Sequence, residues 1–364
     1  MNLRILDKYI LKKYLSSLAL ILALLLPIAV AIDVSEKIDK FLRHSDLSVY
    51  DIIRDYYVNF LVIYGNTFMP LALFIAVIFF TSKLAGNTEI IAIHSAKISF
   101  KRFLKPYLIG ATIVTVFSLF MNHFVVPNSN KIYEEFHRAY LQKKKLSANY
   151  LTNINLQLGP NDYIFLKNYT IDRKMGYRFS YEQFEGTKLK YKLLADNIRW
   201  VEKDSSFSLI NYKKRILLED RDSIISGSKL DTTFTFTPKD LINVDYLAKE
   251  MTSFKLNNFI KKAEQRGVSN LNTYLVEFHK RTSLPVSSYI LTFIAVALSS
   301  RKKRGGMGIN LAIGITLMFI YVFFLKIAEV LGAGADTNSL LMVWLPNIVF
   351  GILAVYLYFK NAKN

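Results

Sequence analysis

The feature that most constrains this chain is a set of six long apolar runs, divided three and three by a polar stretch. Each run is close to the ~20 residues that a helix needs to cross the hydrocarbon core of a bilayer. Because lipid cannot satisfy an open sheet edge, we predict six transmembrane helices. The first run has no small-residue cleavage site at its end, so it is interpreted as a retained span. The runs lie near residues 15–32, 61–82, 103–126, 278–299, 307–331 and 340–359.

The distribution of Lys and Arg predicts the orientation. Basic residues flank the spans at residues 4–13, 83–105, 301–304 and 360–363, which all fall on one side if there are six spans. Such an excess is typical of the cytoplasmic side. Both termini are therefore expected in the cytoplasm and the polar stretch outside it. The formal charge of +19 is spread over these segments rather than gathered in one stripe, so we expect contact with anionic membrane lipids and no nucleic acid.

Several chemistries are excluded by what the sequence lacks. The chain has no cysteine, so it has no disulfide, no thiolate nucleophile and no cysteine metal site. It has neither a phosphate-binding G-x-x-x-x-G-K-[ST] loop nor an H-E-x-x-H motif, and its five histidines are scattered. We therefore predict no catalytic residue, no metal site and no cofactor. The chain has no visible means to bind ATP itself, so energy from ATP would come from a partner protein.

The polar stretch is predicted to form an all-β domain. Short runs at residues 177–182, 189–193, 198–200 and 233–237 alternate apolar and polar side chains, which is typical of strands with one buried face. Turn signals recur at residues 159–161, Gly176, Gly186, 204–206 and 226–228, a spacing that suits a sandwich, a jelly roll or a barrel.

These patterns predict four regions of the chain. Residues 1–126 carry spans one to three, 127–250 the β domain, 251–276 a helical return connector and 277–364 spans four to six. In the connector, Thr252 or Ser253 is placed to cap a helix that runs to about Arg266, with Gly267 as its stop. A second segment from about Leu271 leads back to the membrane.

The connection after span two is predicted to form a short interfacial helix near residues 87–97. Asn87 is placed to act as the N-cap, and Glu89 falls in the first turn, where the helix dipole favours an acid. Ile90, Ile91, Ile93 and Ala96 supply an apolar contact surface. Two interpretations remain open: an amphipathic segment on the inner leaflet, or a docking element for a cytoplasmic partner.

Three cations follow span one at helical spacing. If the helix continues beyond the bilayer, Lys37, Lys40 and Arg43 share one face and are candidates for contact with anionic head groups. The alternative is a solvated helix end that is partly paired with Glu36 and Asp39.

Charged residues also lie in or beside the second group of spans. Lys326 and Glu329 are three residues apart in span five, where an ion pair or snorkelling would offset the cost of a charge in lipid. Lys326 is either a snorkelling residue or a ligand for a lipid head group. Glu277, His279 and Arg281 precede span four, where we expect them to brace a hinge rather than catalyse a reaction.

The order of four segments resembles that of a known family. These segments are residues 6–10, residues 89–99, residues 277–281 followed by Pro285, and residues 344–347. Together with the three-plus-three layout and the outer β domain, they resemble the LptF/LptG permeases, the membrane subunits of the bacterial lipopolysaccharide exporter. The C-terminal end and the basic turn at residues 301–304 look somewhat more like LptG.

The resemblance implies a fold, a set of partners and a cell location. It implies a β-jellyroll-like periplasmic domain, a Gram-negative inner-membrane location, a second LptF/LptG-type permease, an LptB-like ATPase dimer, an LptC-like periplasmic bridge and lipopolysaccharide as substrate. It also implies that Glu89, Ile90, Ile93 and His94 belong to the coupling helix that docks on the ATPase. Lys97 stands where the family often has Gly, and His94 where Arg or Gln is common.

Three functions of different classes follow. We expect a non-enzymatic permease subunit that extracts lipopolysaccharide with energy from a separate ATPase. A head-group role for Lys37, Lys40, Arg43 and Lys326 fits that expectation, because spans one and five border the lipid cavity in the family. The alternatives are a structural or sensory inner-membrane protein whose β domain binds an envelope partner, and a lipid-modifying enzyme, for which the sequence shows no convergent acid and base residues.

Overall fold

Ten helices are found in the described part of the chain. The computed structural model describes residues 4–44, 46–141, 150–159, 161–217, 222–241, 245–265, 271–301, 306–334 and 337–362. The helices are α1 (Ile5–Phe41), α2 (Val49–Gly86), α3 (Glu89–Ser95), α4 (Phe100–Leu141), α5 (Pro238–Leu241), α6 (Asp245–Glu250), α7 (Ser253–Gln265), α8 (Leu271–Ser299), α9 (Gly306–Gly332) and α10 (Ser339–Ala362). Within the described residues, six of them (α1, α2, α4, α8, α9 and α10) are long and apolar enough to cross a membrane, which confirms the predicted number of spans.

The third long helix, α4, continues well past the apolar run that predicted it. It ends at Leu141, and its last part contains two π-helical segments, Met121–Val125 and His137–Leu141. This extension remains helical because it has an apolar side of its own, in which Phe136 and Leu141 are buried with Phe41 of α1 and Tyr56 of α2. The apolar run therefore marked the length that would cross lipid rather than the length of the helix.

The spans belong to one compact unit, whose interior contains polar as well as apolar side chains. Hydrocarbon offers no hydrogen bonds, so a polar side chain inside the bundle needs a protein partner. Several buried residues meet this requirement across helices. The pairs are Tyr14 Oη with Thr292 Oγ1 at 2.9 Å, Ser118 Oγ donating to Asn66 Oδ1 at 2.9 Å, and Tyr321 Oη donating to Asn347 Oδ1 at 2.8 Å.

Close helix approach depends on Gly110 in α4. A Cβ atom built on Gly110 would lie 2.6 Å from Cδ1 of Tyr14. The Tyr14 ring has little freedom to move away, because it is fully buried and its hydroxyl is bonded to Thr292. Contact between α1 and α4 therefore requires a residue without a side chain at position 110.

The strands form a second compact unit, in a single antiparallel sheet. They are β1 (Tyr150–Gly159), β2 (Asp162–Thr170), β3 (Met175–Glu185), β4 (Lys188–Val201), β5 (Ser206–Leu217) and β6 (Asp222–Thr232), and each pairs with the next in sequence. This confirms an inserted β domain between the helices. The described strands form a meander, so the jelly-roll form that the resemblance implies stays a prediction.

One face of the sheet carries the core of this unit. The buried side chains of this face include Leu166, Phe179 and Leu209. The same hydrophobic cluster includes Phe236, which follows β6, and Ala263 of α7. Alternation along the strands therefore predicted the buried face correctly.

Residues 233–237, however, are not a strand. Strand β6 ends at Thr232, and the following segment leads into α5 at Pro238. Phe234 and Phe236 still point into the core, with ring centroids 5.3 Å apart. The alternation of apolar and polar residues thus reflects packing of the aromatic side chains into the core, without pairing to another strand.

Two predicted turns were also wrong, because the glycines in question lie inside strands. Gly176 is in β3, where a Cβ atom would lie 2.5 Å from Leu166 and 2.8 Å from Ile198. Gly227 is in β6, where a Cβ atom would lie 2.7 Å from the Tyr212 ring. Both glycines make room for a side chain of a neighbouring strand rather than for a change in chain direction.

Replacing Gly110 by Ala should destabilise the transmembrane unit. The added methyl group overpacks a rigid aromatic contact, a change that costs about 1 to 3 kcal/mol. The thermal unfolding midpoint in detergent is therefore expected to fall. Gly308→Ala is the matched control, because a Cβ atom there meets nothing within 4 Å. Equal midpoints for the two variants would contradict the role assigned to Gly110.

Candidate functional site

The short helix after the second span is α3, and it begins with a left-handed residue. Its N-cap is Thr88, with φ +60°, rather than the predicted Asn87, which instead caps the C-terminus of α2. Asn87 lies beside the start of α3 and donates from Nδ2 to Glu89 Oε1 at 3.2 Å. Glu89 occupies the first turn as predicted.

The two faces of α3 have different environments. Ile90 is 2 % exposed and belongs to the transmembrane core, and Ile93 packs against the same core. Ile91, by contrast, is 54 % exposed, and His94 is exposed as well. Ile90 and Ile93 therefore anchor the helix, whereas Ile91, Ala92, His94 and Ser95 are exposed and Glu89 is half-buried. Sequence reasoning grouped Ile90 with the contact residues because it could not tell the two faces apart.

The backbone at the C-terminal end of α3 shows why Gly is common in the family at the position that Lys97 occupies here. This residue has φ +58°, and its N–H donates to the carbonyl oxygen of His94 at 2.9 Å. A left-handed residue after a helix is most often Gly, because a side chain is strained there. Lys97 thus keeps a backbone conformation that Gly would adopt without strain. The turn is supported further by His94, whose Nδ1 lies 3.0 Å from the carbonyl oxygen of Ile98.

The start of α1 holds α3 and α4 together, a contact that sequence analysis missed. Asp7 is almost fully buried and accepts two bonds from Arg102 of α4, at 2.6 and 2.8 Å. Two residues further along α1, Tyr9 donates its hydroxyl to Glu89 Oε2 at 2.9 Å. One signal was present: Asp7 is the only acidic residue before Asp33, and it lies among basic residues.

Lys37, the first of the candidate head-group cations, is already paired inside the protein. Its ammonium bonds to the Asp33 carboxylate, one helical turn earlier, and to the Tyr56 hydroxyl. Tyr56 Oη also donates to Asp33 Oδ2 at 3.0 Å. The acid that neutralises Lys37 is therefore Asp33 rather than Glu36 or Asp39.

The other two cations of that group are more available. Helix α1 ends at Phe41, so Lys40 lies on its last turn and Arg43 lies beyond it. Arg43 is exposed and Lys40 is half-buried. Neither has an ion-pair partner among the residues that the structure describes. The structure does not place Lys37, Lys40 and Arg43 on one continuous helix face.

Lys326 is part of a three-residue ion network. Lys326 Nζ lies 2.9 Å from Glu329 Oε2, as the sequence spacing predicted. The opposite oxygen of Glu329 lies 2.8 Å from Nζ of Lys280 in α8, which sequence reasoning missed because it had no signal for the neighbouring helix. The Lys326 side chain is 66 % exposed, whereas that of Lys280 is 29 % exposed. Glu329 therefore joins α8 to α9, and Lys326 keeps an accessible ammonium.

Arg281 fixes the return connector to α8. It is 3 % exposed and donates to the carbonyl oxygen of Ala248 at 2.7 Å and to Ser253 Oγ at 3.0 Å. Glu277 Oε1 lies 3.5 Å from its Nε atom and provides the countercharge. His123 of α4 reaches the same Ser253 Oγ from Nδ1 at 2.6 Å. Arg281 and Glu277 thus make contacts within the protein, and the role in bracing a hinge stays a prediction.

Comparison with known proteins identifies the family. The family model described as "Lipopolysaccharide export system permease LptF/LptG" matches residues 8–360. The chain belongs to the LptF/LptG family. It is similar to the lipopolysaccharide export system permease protein LptG of Haemophilus influenzae, at 22 % identity, with 96 % of this chain and 93 % of that protein covered. This similarity agrees with the LptG-like features of its C-terminal part.

Membership confirms the recognition that was made from the four segments. The match includes all six spans and the inserted sheet. The chain is thus a multi-pass inner-membrane protein of the lipopolysaccharide export permease family. In this member, α3 follows the second span directly and accepts a bond from Tyr9 of α1, next to the Asp7–Arg102 pair of α1 and α4.

Asp7→Asn should weaken the contact between α1 and α4. The change leaves the Arg102 guanidinium without its anion, and hydrogen bonds to charged groups contribute roughly 1.5 to 3 kcal/mol. The unfolding midpoint in detergent should therefore fall. Asp39→Asn, at an exposed position on the same helix, should shift it little. If the two variants were equally stable, the Asp7–Arg102 pair would not be important for stability.

Proposed function

We propose that this chain is a permease subunit of an ATP-driven lipopolysaccharide exporter. It extracts lipopolysaccharide from the inner membrane and passes it to an LptC-like periplasmic bridge. The observation that carries this proposal is the match to the LptF/LptG family over residues 8–360. A second permease of the same family completes the transmembrane pathway.

A separate ATPase supplies the energy in this proposal. The accessible side of α3, which includes the half-buried Glu89 and the exposed Ile91 and His94, is the docking surface for an LptB-like ATPase dimer. Two features of α3 support this role. Ile90 and Ile93 fix it to the spans, and Tyr9 holds Glu89 from α1. A helix held in this way transmits a displacement of its partner to the spans, because packed elements move as units rather than deforming continuously.

The orientation and the domain division are part of the same proposal. The basic connections lie in the cytoplasm, where α3 meets the ATPase. Residues 127–250, with the sheet, and the connector 251–276 then lie on the periplasmic side. The apolar face of the sheet supports a role in sheltering acyl chains, since each exposed CH₂ group costs roughly 0.8 kcal/mol in water.

Cations at the outer ends of the spans bind the head group of the substrate. Lys326, Lys40 and Arg43 keep accessible charges that suit phosphate groups. Lys37 contributes through its pair with Asp33 and Tyr56, which fixes the outer part of α1 against α2.

Glu89→Lys should weaken assembly with the ATPase while the chain remains in the membrane. The substitution reverses the charge offered to the partner and also removes the bond from Tyr9. Tyr9→Phe is the matched control, because it removes that bond and keeps the carboxylate. Co-purification of the ATPase should fall severalfold for Glu89→Lys and little for Tyr9→Phe. Equal losses would assign Glu89 to internal stability instead of docking.

Lys326→Ala should reduce stimulation of the ATPase by lipopolysaccharide in a reconstituted complex. Loss of one charge-assisted contact predicts roughly tenfold weaker stimulation. Lys131→Ala serves as the control, because Lys131 is similarly exposed, at 60 %, and lies 4.0 Å from Glu135. Unchanged stimulation and export in Lys326→Ala would remove Lys326 from the head-group site.

A further inference from the structure

An apolar groove opens on the transmembrane unit between α4, α8 and α10. It has a volume of about 500 Å³, within the roughly 300 to 1,000 Å³ range of small-molecule sites. Its walls include Leu104 and Leu108 of α4, Ile290 and Phe293 of α8, and Ala354 of α10. The one charged residue in its lining is Lys101, at one end.

The position of Lys101 defines the mouth of the groove. Lys101 lies in the first turn of α4, and Phe359 lies in the last turn of α10, so the mouth is at the end of the spans that bears the basic connections. Leu108 lies seven residues further along α4, which corresponds to about 10 Å of helix. The groove thus runs from a cationic mouth into the depth of the apolar region.

The charge at the mouth is available to a ligand. Lys101 is exposed and has no acidic partner among the described residues, whereas the neighbouring Arg102 is occupied by Asp7. A free ammonium above an apolar groove is complementary to a molecule with an anionic head and an aliphatic tail. A Lys near a membrane surface attracts anionic lipid by about 1 kcal/mol, or roughly fivefold in affinity.

We propose that this groove binds one phospholipid with an anionic head group. The phosphate lies at Lys101, and an acyl chain lies along Leu104, Phe293 and Ala354. A transmembrane helix of a partner fits less well, because closely packed helices favour small residues and this groove is lined with Tyr289, Phe293 and Tyr358. The lipid joins the third span to the fourth and sixth, and therefore links the two halves of the permease. This site is separate from the head-group cations and does not depend on lipopolysaccharide export.

Native mass spectrometry of the purified full chain, with any co-purifying subunits, tests the proposal. The delipidated protein is titrated with phosphatidylglycerol or with phosphatidylcholine of the same acyl chains. One phosphatidylglycerol should bind more tightly than phosphatidylcholine, and Lys101→Gln should weaken it about fivefold with phosphatidylcholine unchanged. Lys83→Gln, at an exposed lysine on the same side but outside the groove, should have no effect.

A filling variant tests the apolar part separately. A Cβ atom on Gly351 would be in ordinary contact with Ile290, at 4.0 Å, and Gly351 lines the groove, so Gly351→Leu should fill part of the groove and abolish this binding event for both lipids. Size-exclusion chromatography checks its fold, and Lys101→Gln stands as an independent test if that variant is unstable.

The following results would overturn the proposal. These are equal binding of the two phospholipids to the unmodified chain, equal effects of Lys101→Gln and Lys83→Gln, and displacement of phosphatidylglycerol by lipopolysaccharide at the same concentration. The last result would assign the groove to the exported lipid. Retained binding in well-folded Gly351→Leu would likewise place the lipid elsewhere.

Discussion

Lipid hydrocarbon forms no hydrogen bonds with a protein, so the polar groups of the spans must bond to each other. The arrangement of the spans follows from these bonds. Backbone groups are satisfied within helices, and buried side chains are satisfied between helices, as in the pairs Tyr14–Thr292 and Tyr321–Asn347. Each such bond fixes the rotation of two helices as well as their distance. Gly110 then allows a close approach between α1 and α4, against the Tyr14 ring. Tyr14 of α1 thus makes both contacts: its hydroxyl bonds to Thr292 of α8, and its ring packs against Gly110 of α4.

The position of α3 depends on this framework. Ile90 is inserted into the core that the spans create, and the Asp7–Arg102 pair holds the adjoining ends of α1 and α4. A seven-residue helix has little stability of its own, because helices shorter than about 12 residues are marginal in water. Its shape and orientation therefore come from the spans. Conversely, a force applied to α3 acts on three spans at once. This property suits the coupling role proposed for α3.

Sequence analysis predicted the features that arise from long, regular patterns. It predicted six spans, the inserted β domain and the short helix after the second span, because hydrophobic length and alternation are properties of the chain itself. It failed where a contact from another element decided the outcome. Gly176 was predicted to lie in a turn, but it lies in a strand, where side chains of β2 and β4 leave no room for a Cβ atom. Residues 233–237 were predicted to form a strand because their aromatic side chains, which point into the core, alternate with polar ones. Lys280, the partner of Glu329, was missed for the same reason. Asp33, the partner of Lys37, lies on the same helix at i,i+4 spacing and could have been found from the sequence.

The central claim is that the chain works as one permease of a lipopolysaccharide exporter. Affinity purification from its own membranes in mild detergent, followed by mass spectrometry of all bound proteins and lipids, tests this most directly. The account predicts an ATP-binding ATPase, a second six-span permease and bound lipopolysaccharide. A chain that purifies without ATPase, second permease or lipopolysaccharide would contradict it and favour a structural or sensory role for the β domain.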